Sequence, residues 1–236
     1  MTRRHLSMWS GPRNISTALM YSFRSRPDTE VVDEPLYGYY LASTGLAHPG
    51  DDEVLAVMET DPDRAVAAML ADGERPLRFS KNMAHHMVGL DFAILDRMTN
   101  VMLTRHPQAV IASVTKQLPD ADADATGLPM QVAMVDYIQA SGHRVMVIDS
   151  DDILADPRTT LVRLCDEVGI EFFPEMLTWP PGPKPEDGVW APHWYENVHQ
   201  STGFGPPRGE MARVRPEHER LLAECLPLYE RLRSIG

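Results

Sequence analysis

Short apolar runs alternate along this chain with longer stretches of helical spacing, and that alternation leaves few folds open. Strands separated by helical crossovers imply an α/β fold with a mainly parallel central sheet flanked by helices. The predicted strands are residues 5–10 (HLSMWS), 29–33 (TEVVD), 76–80 (PLRFS), 100–104 (NVMLT) and 144–149 (RVMVID). The last is the clearest, an unbroken apolar run bounded by turn residues, as buried parallel strands are. Helices are predicted over 16–26, in two pieces over 51–72, from Pro107 to about Gln117, over about 129–141, from Pro157 to about Val168, and over 215–235. Ser16 or Asn14 can cap the first, and Asp61-Pro62 and Asp156-Pro157 place an N-cap before a proline at the first helical position. Residues 178–209 hold seven prolines and three tryptophans. The aromatic content predicts a loop packed on the body rather than a disordered linker.

Composition narrows the function classes. With 22 Lys+Arg against 34 Asp+Glu, the net charge is −12, which argues against broad binding to nucleic acid or anionic membrane. A local basic pocket for one anionic ligand stays compatible with it. Two cysteines, Cys165 and Cys225, exclude a disulfide framework and a CxxC metal site. No run approaches the ~20 apolar residues of a transmembrane helix, and the basic start, Met1 to His5, is broken too soon for a signal peptide. The expectation is a soluble cytoplasmic protein with no resident metal. Methionines such as Met69, Met102, Met130 and Met134 read as core filler, and the acidic run 120–124 (DADAD) reads as a solvated loop.

Two features point to an anion site. Between the first strand and helix lies Trp9 to Thr17 (WSGPRNIST). A loop there aims backbone N–H groups and the positive end of a helix at one place, with the Arg13 fork and two hydroxyls beside them. It lacks the Gly-Lys pair of GxxxxGK[ST], and it is not GxGxxG. The second feature is Arg105 at the end of the fourth strand, with Ser113 eight residues on, two turns into the next helix. Such a pair can converge on one anion at the carboxyl edge of a sheet, where open α/β folds bind ligands. Taken singly, each feature is also compatible with a plain capped turn and an exposed Arg.

Together they resemble the sulfotransferase family. The stretch Ser10 to Thr17 looks like its 5′-phosphosulfate loop, and Arg105-x7-Ser113 looks like its 3′-phosphate motif. Residues 147–157 (VIDSDDILADP) and 161–169 (LVRLCDEVG) are similar to the strand, turn and helix that follow in family order. The resemblance spans about residues 5 to 170 and implies a single sulfotransferase-like domain over 1–236 with a P-loop-kinase-like fold. It further implies a donor, 3′-phosphoadenosine 5′-phosphosulfate (PAPS), with the bisphosphate PAP as product. Gly11, Pro12, Arg13, Asn14, Ile15, Ser16 and Thr17 would wrap the phosphosulfate, while Arg105 and Ser113 would hold the 3′-phosphate. The widespread form of the loop has Lys at the position of Arg13 and often Gly at that of Ile15.

Transfer of a sulfuryl group to an alcohol needs in-line approach, positive charge at the leaving phosphate and a base. Two positions offer a base: Glu34, before a rigid proline at the end of the second strand, and His85, in Lys81 to His86 (KNMAHH) after the third. Glu34 is favoured and resembles the base of bacterial carbohydrate sulfotransferases. The family's Lys-x-His becomes Lys81-x-Met83 here, leaving Lys81 to contact the transferring group. Ser201, Thr202 and Gly203 stand where the family places a flap over the nucleotide. The acceptor, a small molecule or carbohydrate, would meet residues 35–60, 118–130 and 180–208. A small-molecule kinase of P-loop type, a catalytically silent nucleotide-binding protein and a purely structural domain are the alternatives.

Overall fold

The computed structural model describes residues 3–116, 118–207, 209, 211 and 213–236. Within them, five parallel strands form one sheet in the order β2-β3-β1-β4-β5. These are β1 (Arg4–Ser10), β2 (Thr29–Asp33), β3 (Leu77–Met83), β4 (Thr99–Thr104) and β5 (Met146–Asp149). The helices are α1 (Ser16–Arg24), α2 (Tyr37–Thr44), α3 (Asp51–Val57), α4 (Pro62–Met69), α5 (Pro107–Val114), α6 (Leu128–Ala140), α7 (Ser150–Ala155), α8 (Pro157–Val168), α9 (Ala191–Trp194), α10 (Glu196–His199) and α11 (Glu219–Arg233). This is the α/β, P-loop-kinase-like arrangement that the alternation of elements and the family resemblance imply.

The period-two alternation of β1 builds both cores at once. Leu6 and Met8 join Leu19 and Phe23 of α1 and Leu161 and Leu164 of α8 on one face. Trp9 joins Met134 and Val135 of α6 and Leu232 of α11 on the other. A buried polar chain links the layers: the Trp9 indole donates to Asn100 Oδ1 at 2.9 Å, and Asn100 donates to the Leu95 carbonyl at 2.8 Å. Cys165 is buried, and burial pushes its thiol up to about 11, which leaves it inert.

Several boundaries move. The third strand does not stop at Ser80: Lys81, Asn82 and Met83 pair with Met8, Trp9 and Ser10, so a polar stretch is drawn into the sheet by neighbours on both sides. The fifth strand starts at Met146, where its pairing with Val101 begins. The helix after Pro107 ends at Val114, and Gln117 lies outside the described residues, as do Met1 and Thr2. α2 and α7 replace what read as loop and turn. Neither Asn14 nor Ser16 caps α1; Ile15 holds the N-cap position in a left-handed conformation, and Asn14 donates instead to the Leu103 carbonyl at 2.6 Å.

The Pro- and Trp-rich segment is packed on the body. Trp179, Trp190 and Tyr195 are buried, and Thr178 bridges Gly203; Arg208 of this segment lies outside the described residues. Among the described residues, no helix is long and apolar enough to cross a membrane.

Gly169 ends α8 at φ +67°, and a Cβ built there would meet nothing nearer than Arg4 Nη2 at 3.9 Å. Gly169→Ala therefore carries the backbone cost alone, about 1–2 kcal/mol. Urea unfolding should show that loss in the midpoint with the slope unchanged.

Candidate functional site

The carboxyl ends of β1, β2, β3 and β4 open onto one cavity of about 1340 Å³. Pro12 to Thr17 line it after β1, Glu34 after β2, His85 and His86 after β3, and Arg105 after β4. Lys81, Ser113, Ser201 and Gly203 line it as well. Gly11 does not. It packs under the loop, where a Cβ would sit 2.1 Å from the Thr126 carbonyl oxygen, so its smallness serves a close backbone approach. Thr202 also stands outside; its carbonyl accepts from the Trp179 amide at 3.1 Å, and it lines a neighbouring cavity.

The two sequence features predicted to bind one anion are joined by direct contacts. Arg13 Nε donates to Ser113 Oγ at 3.0 Å, and Arg105 Nη1 donates to the Arg13 carbonyl at 2.5 Å. The Arg13 side chain thus lies toward Ser113. Below the loop, Gln131 Nε2 donates to the Trp9 and Leu103 carbonyls at 2.9 and 3.0 Å, tying β1, β4 and the Asn14 anchor together. The amides opening α1 have no partner within the helix and face the loop.

At the end of β2 a buried ionic cluster closes the other side of the cavity. Lys81 Nζ donates to Glu34 Oε1, to Asp33 Oδ1 at 3.0 Å and to the Tyr195 hydroxyl at 2.7 Å. Tyr195 donates to Asp33 Oδ2 at 2.7 Å and accepts from the Trp190 indole at 3.1 Å. All three ammonium protons of Lys81 are committed, so it sits beside the cavity as an ion partner. Burial pushes the Glu34 carboxyl up, the Lys81 ammonium pulls it back and Asp33 pushes it up again, leaving it above the ordinary value. Burial disfavours the Lys81 ammonium, but Asp33 and Glu34 override it and hold the charge well above its usual range. Asp33 and Tyr195 were not singled out from the sequence; an Asp-Glu-Pro run at a strand end was the available signal for the first.

Histidines and aromatics form the third wall. The His86 ring stacks on Tyr37 at 4.9 Å and on Tyr40 at 4.5 Å, with His85 edge-on to both Tyr40 and His86. Burial, reinforced by His48, lowers His85 to about 4; burial and His85 lower His86 well below its ordinary value. The segments expected to shape an acceptor pocket meet here: Tyr37, Tyr40 and His48, the 118–130 loop with its exposed Asp120, Asp122 and Asp124, and Trp190, Trp194 and Tyr195. Met130 lines the cavity rather than only filling core.

The chain matches the sulfotransferase domain family over residues 4–235. It belongs to that family. Among curated proteins, it is 42% identical over 228 residues to branched-chain-amino-acid aminotransferase-like protein 1 of Arabidopsis thaliana, covering 96% of this chain and 41% of the relative. Like protein 2 of the same plant is 40% identical over 227 residues, 95% of this chain and 40% of that one. The chain thus spans about two-fifths of the length of these relatives. Among solved structures, it resembles a sulfotransferase from Alicyclobacillus acidocaldarius, with TM-score 0.55, 15% identity and coverage of 99% and 96%. It also resembles the sulfotransferase domain of the Synechococcus PCC 7002 olefin synthase, with TM-score 0.54, 19% identity and 95% of each chain. Both likenesses speak to the fold.

Because the folded protein holds His85 and His86 neutral, the unfolded chain binds more protons below the ordinary histidine value of 6.5. Their contribution to stability is present above about pH 6.5 and is lost as pH falls toward about 4. His85→Phe should flatten that part of the stability profile, measured as urea midpoint against pH.

Proposed function

We propose that this sulfotransferase-family chain moves a sulfuryl group from PAPS to a hydroxyl of a small-molecule or carbohydrate acceptor. The observation that carries the reading is the convergence of the Pro12–Thr17 loop, Arg105 and Ser113 on one cavity that also holds Glu34. Its volume of about 1340 Å³ exceeds the ~300–1,000 Å³ of a site for one drug-sized ligand, which supports two substrates held together.

In this reading the loop amides and Arg13 face the phosphosulfate, and Arg105 with Ser113 face the 3′-phosphate. Ser201 and Gly203 flank the nucleotide from the flap, where Ser201 Oγ accepts from the Trp179 indole at 3.0 Å and donates to the Val198 carbonyl at 2.7 Å. The acceptor oxygen attacks sulfur in line, the bond from sulfur to the bridging oxygen breaks, and the pair of electrons leaves on the phosphate of PAP. Preorganised donors at that phosphate stabilise the charge as it develops. The acceptor proton goes to the Glu34 carboxylate. Glu34 is favoured over His85 because its carboxylate lines the cavity at the end of β2, held there by the Lys81 ammonium, whereas burial lowers His85 to about 4 and weakens it as a base. Lys81 acts through Glu34, with its three donors already engaged. The chain is one domain in this reading, and the aminotransferase-like activity suggested by the names of its longer relatives is not carried over.

Calorimetric titration with PAP, ADP and Mg-ATP tests the donor. PAP should bind at least tenfold tighter than ADP without metal, about 1.4 kcal/mol, and Arg105→Ala should erase that preference. Glu34→Gln should keep PAP affinity while turnover falls on the order of 10²-fold or more. Mg-ATP binding as well as PAP would overturn the reading in favour of a kinase.

A further inference from the structure

Lys81 stands between two carboxylates that differ in what else they touch. Asp33 lies in the sheet register opposite Lys81 and is 6% exposed. Its Oδ1 takes one ammonium proton, and its Oδ2 accepts from the Tyr195 hydroxyl at 2.7 Å and from the Gly188 amide at 3.3 Å. Glu34 lies one residue on, at φ +42°, with its amide donating to the Lys81 carbonyl at 2.8 Å. That left-handed turn swings its side chain back onto the same ammonium. Two anions therefore share one cation, and the Tyr195 hydroxyl, bonded to both Lys81 and Asp33, is the third party that sets the division.

We propose that Asp33 and Tyr195 are positioning residues that apportion the Lys81 ammonium between Asp33 and Glu34, and so govern when Glu34 carries its charge. Tyr195 reaches the site from the Pro- and Trp-rich segment, fixed by the buried Trp190 indole. The seating of that segment is thereby built into the state of Glu34. Other groups facing the cluster do not supply the same control. Tyr37, from α2, is driven upward by burial and by Glu34 itself and stays protonated. His86, from the turn after β3, is kept neutral by burial, by its neighbour His85 and by the Lys81 charge. Burial and Asp33 hold the Tyr195 phenol well above its usual range, so it remains a hydrogen-bond donor at neutral pH.

The first direction follows from charge and the second from hydrogen bonding. Asp33→Asn removes the competing anion, so the whole ammonium faces Glu34 and its carboxyl titrates lower. Tyr195→Phe removes the donor that satisfies Asp33 Oδ2, the acceptor on Lys81 and a hydroxyl that itself favours the Glu34 carboxylate. The ammonium then shifts toward Asp33, and Glu34 titrates higher. Only the consequence for turnover rests on the reading of Glu34 as the base.

The experiment is a carboxyl titration of protein labelled with ¹³C at the glutamate side-chain carboxyl, with Glu34→Gln identifying the resonance. Asp33→Asn should lower the Glu34 midpoint by about one unit or more, and Tyr195→Phe should raise it. Shifts in the same direction, or none in either variant, overturn the proposal. Should Asp33→Asn fail to fold, Asp33→Ser takes its place, a downward shift of the Glu34 midpoint supporting the proposal and an unmoved midpoint overturning it. The acid limb of kcat against pH, read alongside, should move with the carboxyl. If the carboxyl moves and that limb does not, charge sharing stands and the base assignment falls. PAP affinity, measured separately, reports on the donor site and is expected to stay within about twofold in both variants.

Discussion

An ammonium buried at the carboxyl edge of the sheet is the constraint around which this molecule is arranged. Lys81 is 2% exposed, in a strand with neighbours on both sides. A charge there costs several kcal/mol to desolvate, and removing one partner of such a pair costs about 3–5 kcal/mol. The chain meets this with three acceptors around one nitrogen. One comes from the last residue of β2, one from the turn after it, and one from a segment more than a hundred residues further on. The Pro- and Trp-rich segment is therefore not an ornament on a finished core. Without Tyr195, Trp190 and the Gly188 amide, the Asp33–Lys81 pair would face an open cavity with its hydrogen bonds incomplete.

The parts of the fold legible in the sequence are those where a local rule and the tertiary outcome agree. β1 and β4 are apolar runs bounded by turns, and α8 has its Asp156 cap, a proline at the first position and Gly169 at the end. The loop from Pro12 to Thr17 and the Arg105–Ser113 pair stand out in the sequence because both sit at strand-to-helix junctions, and the fold brings them to one cavity. The failures have physical causes. α2 (YGYYLAST) is aromatic on several sides, carries a glycine and has no capping side chain, so no helical stripe shows. The polar end of β3 reads as a loop because the partners that neutralise Lys81 are remote: Asp33 is 48 positions away and Tyr195 is 114. No periodicity encodes a contact of that kind. Asp33 and Tyr195, 162 positions apart, become functional candidates only once the sheet order and the course of the late segment are known.

Backbone strain gives an independent reading of where the sequence has been bent to a purpose. Among the described residues, the non-glycine residues with positive φ are Arg13, Ile15 and Glu34, at +60°, +42° and +42°. Each costs about 1–2 kcal/mol relative to ordinary backbone, and for the β-branched Ile15 the left-handed region is least favourable. All three line the same cavity. They persist because their surroundings over-determine them: Asn14 pins the first loop to the Leu103 carbonyl, which Gln131 holds from α6, and the Glu34 amide is tied to the Lys81 carbonyl. A glycine at position 15 would relax the turn but would give up the contact of the Ile15 side chain with the core beneath α1. The loop keeps its curvature through packing rather than through glycine. That is how a sequence departing from the common glycine-bearing form can present α1's first amides and the Arg13 guanidinium to one side of the cavity. The Glu34 carboxylate, held by its own left-handed turn, lines the same cavity.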